Sequence, residues 1–132
     1  LPEKMRILVV DDDPSMCETL SDILEDKGYE VTTANDGREA VEKTKQKEFG
    51  LVLMDIKMPK MNGVEACKIM RSERPDMKII LMTAYAVEDL VQEALKDETV
   101  GIFFKPLDLE KVIQLLQNIR EARDGAGLNV SS

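Results

Sequence analysis

The chain has 132 residues, 43% of them hydrophobic and 33% charged, with a formal net charge of -8. That length suits one domain whose core needs no metal or disulfide staple, and the acidic balance repels nucleic acid and anionic lipid. The absence of His removes a Ser-His-Asp triad, a Cys-His pair, an H-E-x-x-H zinc site and a histidine phosphocarrier.

Residues 6–11 (R-I-L-V-V-D) read as a buried strand, because four apolar residues run without alternation. Asp13 caps, and Pro14 and Ser15 open, a helix whose apolar set is Met16, Leu20, Ile23 and Leu24; Gly28 stops it. Glu30–Ala34 is a second strand, 35–37 a turn and cap, and 38–47 a second helix with Ala40, Val41 and Thr44 inward. Leu51–Asp55 is a third buried strand, followed by a loop at 56–62 that Pro59 breaks. Gly63–Glu73 is a helix using Val64, Cys67 and Met70. A turn at Pro75 and Asp76 leads to a strand at 78–83, a helix at 87–96 and a short strand at 101–104. Pro106 then breaks the chain, and Asp108 caps a last helix at 109–122, with Leu109, Val112, Ile113 and Leu116 on one stripe. No apolar run approaches the ~18 residues of a membrane span, and residues 1–6 form no signal peptide. Cys17 and Cys67 read as two reduced, buried thiols of a cytoplasmic protein.

Five strand-helix units imply an α/β fold, a doubly wound parallel sheet covered on both faces. Ligands of such sheets sit beyond the carboxyl ends of the strands. The first strand ends in Asp11, Asp12 and Asp13, the third in Asp55, the fourth in Thr83 and the fifth in Lys105. Two carboxylates ~4 Å apart repel by about 4 kcal/mol at an effective dielectric near 20. Asp11, Asp12 and Asp55 together therefore want a cation, and oxygen ligands suit Mg²⁺. Beside it, Asp55 is the natural nucleophile toward a phosphoryl group, with Lys105 and Thr83 stabilising charge on the phosphoryl oxygens.

The motifs I-L-V-V-D-D-D at 7–13, L-M-D-I-K-M-P-K-M-N-G at 53–63, M-T-A at 82–84 and K-P at 105–106 resemble the receiver domain of bacterial two-component response regulators, the chemotaxis-regulator type. The resemblance covers residues 6–122. It implies the flavodoxin-like strand order 2-1-3-4-5 and the phosphoacceptor role for Asp55. It implies a Mg²⁺ site of Asp11, Asp12, Asp55 and the Lys57 backbone carbonyl. It also implies a switch role for Thr83, a phosphoryl-gripping role for Lys105 and a cis bond before Pro106. Gly63 matches a position needing close approach or positive φ. Three departures stand out. Ile102 occupies a position often aromatic, 97–100 replaces a small-residue pair, and Tyr85 is bulky near the site. A haloacid-dehalogenase-type reading of Asp11-Asp12-Asp13 leaves Lys105 and the D-I-K-M-P loop unexplained. A nucleotide-binding reading lacks its glycine motifs. The eight Met residues suit core packing better than copper.

The expectation is a phosphorylation switch rather than a turnover enzyme, charged by a phosphohistidine on a sensor histidine kinase or phosphotransfer protein. The first helix, with Met16, Cys17 and Leu20, is the expected docking face. The region from the fourth helix through the last is the expected output face, with Leu115 and Ile119 free for a downstream partner or a phosphorylation-dependent homodimer. Residues 1–123 form the expected receiver domain, and 124–132 read as a linker or tail toward an output domain. A stand-alone relay, the input domain of a regulator, the receiver of a hybrid histidine kinase and a degenerate interaction module remain distinct readings. Direct contact with nucleic acid or a membrane is not expected of this segment.

Overall fold

β3 (Leu51–Asp55) is buried at all five positions, which explains its unbroken apolar sequence. A strand with helices on both faces has no solvent side on which to alternate polar residues. The computed structural model describes residues 4–84, 91–93, 96 and 100–128. Around β3 lie β1 (Arg6–Val10), β2 (Glu30–Ala34), β4 (Ile79–Thr83) and β5 (Val100–Phe104). All pair in parallel, in the order β2-β1-β3-β4-β5.

Side-chain alternation divides the core in two. Leu8, Val10, Val52 and Met54 point to one face, where α2 (Gly37–Gln46) and α3 (Gly63–Glu73) contribute Ala40, Val41, Val64, Cys67 and Met70. Ile7, Val9, Leu51 and Leu53 point to the other, where α1 (Pro14–Asp26) adds Cys17, Leu20 and Leu24, and α4 (Leu109–Leu128) adds Val112 and Leu116. Each fully buried Leu or Ile stabilises the fold by about 1.5–3 kcal/mol.

Local chemistry sets the helix ends. Asp13 caps α1 by accepting from Ser15 N at 2.9 Å, and Asp36 caps α2 by accepting from Glu39 N at 2.8 Å. Gly28 follows α1 with φ +96°, a conformation costly for any residue with a Cβ.

Three expectations need correction. α4 runs to Leu128, past the expected end at Ala122 and into the segment read as a linker. No Pro follows to stop it, and extending a formed helix adds one hydrogen bond per residue fixed. Ile119 packs against the core rather than standing free, because it continues the stripe of Leu109, Val112 and Leu116. Cys17 and Leu20 are 5% and 1% exposed, so neither offers a docking surface; with Leu24 they form the inward stripe of α1. The helix expected at 87–96 lies largely outside the described residues, of which 91–93 are helical. Tyr85 lies outside them too.

Candidate functional site

The sheet delivers its chemistry to one edge because neighbouring strands stop in step. Asp55 closes β3 in register with Met82, so Thr83 lies one residue further along β4. Asp11 follows β1 directly and is anchored through its N–H to the Ala34 carbonyl at 3.1 Å. Lys105 follows β5, its backbone N–H donating to the Thr83 carbonyl at 2.8 Å. The Lys105–Pro106 peptide is cis, as the resemblance implied.

Asp11 is 1% exposed, Thr83 1% and Asp55 7%, while Asp12 is open to solvent. Both oxygens of Asp11 are engaged. Oδ1 accepts from Asp13 N at 3.0 Å, and Oδ2 accepts from Lys105 Nζ at 2.8 Å. The same ammonium is 3.5 Å from Asp55 Oδ2. It therefore bridges two buried carboxylates that would otherwise repel. Burial raises the Asp55 pKa; the Lys105 charge opposes that rise and Asp11 adds to it. Burial works to lower the Lys105 pKa, but its hydrogen bond to Asp11 and the Asp55 charge outweigh burial and hold it above the ordinary lysine range.

Asp11, Asp12 and Asp55 each bring one carboxylate oxygen to within 4.8 Å of the others. This is a hard, anionic, all-oxygen donor set, the chemistry a small divalent cation requires. The Lys57 side chain, on the β3–α3 loop, is exposed.

That loop is tied down at both ends. Ile56 N donates to the Met82 carbonyl at 2.9 Å, and Gly63 N donates to the Ile56 carbonyl at 2.7 Å. A Cβ on Gly63 would lie 2.3 Å from the Asp55 carbonyl oxygen, so close approach, not positive φ, demands glycine there. Asn62 and Glu65 form a reciprocal cap at the start of α3, which the N-x-x-E spacing could have revealed. A second unforeseen contact is that of Cys17, whose thiol donates to the Asp11 carbonyl at 3.3 Å. Burial, then the Asp11 charge, raises the Cys17 pKa. Both cysteines are buried and neither is in a disulfide, as expected.

The carboxyl edge of this doubly wound parallel sheet thus carries an acidic triad, a buried threonine and a bridging lysine. The chain belongs to the response regulator receiver domain family, whose family model matches residues 7–117. It is 44% identical over 110 residues to the transcriptional regulatory protein ZraR of Klebsiella oxytoca, covering 83% of this chain and 25% of that protein. It is 40% identical over 115 residues to the chemotaxis protein CheY of Thermotoga maritima, covering 86% of this chain and 96% of that one. The chain thus spans about a quarter of the ZraR relatives' length and nearly all of CheY's. Among solved structures, a CheY-like receiver from Methanospirillum hungatei superimposes with a TM-score of 0.82 at 34% identity, covering 90% of this chain and 98% of that one. The response regulator TrrA of Thermotoga maritima, solved in complex with Mg²⁺-BeF, gives 0.76 at 33%, covering 87% and 98%. Among the described residues, no helix is long and apolar enough to cross a membrane.

Proposed function

We propose that Asp55 is the phosphoacceptor of this receiver and that its phosphorylation switches the output face of the domain. The observation that carries the reading is the Lys105 ammonium held between Asp11 and Asp55 at the carboxyl ends of the strands. The 132 residues include no His to carry the group themselves, and membership of the receiver family supports a phosphohistidine on a sensor histidine kinase or phosphotransfer protein as the donor. An Asp55 oxygen attacks phosphorus, the bond from phosphorus to the donor nitrogen breaks, and an acyl phosphate forms. An ionised carboxylate needs no general base for this step.

Asp11, Asp12, Asp55 and the Lys57 backbone carbonyl would hold Mg²⁺. A cation bound there would supply positive charge to offset that on the phosphoryl oxygens. Lys105, already within reach of Asp55, exchanges a carboxylate partner for a phosphoryl oxygen, a strong charge-assisted pairing. The Thr83 hydroxyl donates to another. Transfer of these partners is the conformational event, since phosphorylation adds charge and acceptors together. The chain modifies its own side chain and does not turn over substrate. The receiver unit acts in the cytoplasm and takes in α4 to its end at Leu128. The ZraR-like length relation supports the input domain of a larger regulator, and the CheY-like relation supports a stand-alone relay.

The test is intact-mass measurement with Mg²⁺ and a small acyl phosphate donor. The wild type gains one phosphoryl group, Asp55→Ala gains none, and a chelator stops the reaction. Equal labelling of Asp55→Ala removes the assignment, and labelling undiminished by the chelator removes the metal site.

A further inference from the structure

The β3–α3 loop carries the sequence's one Asn-Gly pair, Asn62–Gly63. Such a pair is chemically labile, because glycine has no side chain to shield its nitrogen from the neighbouring amide carbon, and Asn is a thermolabile residue. Neither member is cheaply replaced. Gly63 has no room for a Cβ against the Asp55 carbonyl, and Asn62 caps α3.

We propose that Asn62 is a conformationally gated deamidation site, closed in the folded chain by three hydrogen bonds and open when this loop unfolds. The reaction requires the Gly63 nitrogen to lose its proton and attack Asn62 Cγ. A C–N bond closes a cyclic imide, and the side-chain nitrogen takes a proton and leaves as ammonia. Water then opens the imide at either carbonyl, leaving aspartate or isoaspartate.

Each requirement is opposed in the fold. The Gly63 N–H is donated to the Ile56 carbonyl at 2.7 Å, so the nucleophile is engaged. Asn62 Oδ1 accepts from Glu65 N at 2.9 Å, holding the target amide toward α3. Asn62 N donates to Glu65 Oε1 at 3.2 Å, which fixes the residue from its other side. The isoaspartyl product inserts a methylene into the main chain directly before Gly63, which packs on the Asp55 carbonyl. On the reading of Asp55 as phosphoacceptor, that product loses phosphorylation, whereas the aspartyl product keeps a competent cap.

The experiment incubates the whole chain at one mildly alkaline pH and temperature, in buffer and in guanidinium chloride. Peptide mass spectrometry follows conversion at Asn62. Conversion in buffer is expected to be at least about tenfold slower, as for any group exposed only by local opening. Equal rates overturn the gate, and so does modification of Asn35 or Asn118 ahead of Asn62 in denaturant. In buffer, Glu65→Ala speeds conversion several-fold and Glu65→Gln, which keeps an acceptor oxygen, restores it. An unchanged Glu65→Ala rate overturns the clamp. Phosphoryl labelling of the separated products tests the consequence. If unmodified chain fails to label, the Asp55 reading falls while the gate still stands on the mass change alone.

Discussion

At their carboxyl ends β1, β3 and β4 run into the buried polar residues Asp11, Asp55 and Thr83, and the Lys105 ammonium bridges the two acids. Toward their amino ends the same strands lie near Met5, Leu51 and Met77, which are buried and apolar. Tyr29, 2% exposed, adds to this end, and Arg120 stacks over its ring at 4.7 Å. The backbone there is stitched by Glu30 N to the Met5 carbonyl and Gly50 N to the Arg6 carbonyl. One end gathers like charges and the other packs without them. The polar end therefore carries reactivity at a cost in stability, and the apolar end supplies stability without chemistry.

The sharpest way to break that contrast is Asp55→Asn. It is expected to abolish phosphoryl labelling, read by intact mass, while making the metal-free chain more resistant to urea at neutral pH. Loss of stability in this variant would mean that the acidic cluster supports the fold. Next in size, Leu24→Ala at the opposite end should cost about 2–5 kcal/mol in denaturant titration. Labelling per folded molecule should stay at the wild-type level; a loss would show that the two ends are coupled.

Lys105→Ala should cost about 1–3 kcal/mol, because Asp11 loses a charged partner inside the fold. Mg²⁺ should recover part of that loss. Phosphorylated Lys105→Ala should also show a smaller conformational response than phosphorylated wild type, measured by hydrogen exchange or partner affinity. The smallest effect is the pH dependence. Since Asp55 binds its proton more tightly folded than unfolded, stability without metal should fall as pH rises from the ordinary carboxylate range through the raised Asp55 value. Thermal melts across that window should show the slope in wild type and lose it in Asp55→Asn.

Much of this architecture is legible in the residues. Unbroken apolar runs at β1 and β3 announce a sheet covered on both faces, and the polar residue that ends each run lies where the site forms. Periodicity was less reliable about surfaces. Cys17 and Leu20 lie close to the site in sequence yet form the inward stripe of α1, and Ile119 extends an apolar stripe rather than leaving it. The end of α4 was hidden because glycine lowers helix propensity without forbidding a helix that is already propagating. The pairing of Lys105 with Asp11 joins positions 94 residues apart, and no local pattern encodes it. Sequence places the lysine at the edge; only the folded sheet shows which acids it bridges.

The two thiols bear on how this switch can be watched. Cys17 and Cys67 are 5% and 6% exposed, and Cys17 is also held in its protonated form by burial and the nearby Asp11 charge. Thiol reagents act on exposed thiolates. The folded chain is therefore a nearly silent background for maleimide chemistry. A single cysteine introduced at exposed Glu18, or at Phe104 beside the site, would take a fluorophore or spin label selectively. Motion at each position could then be followed in real time, with both native cysteines left in place.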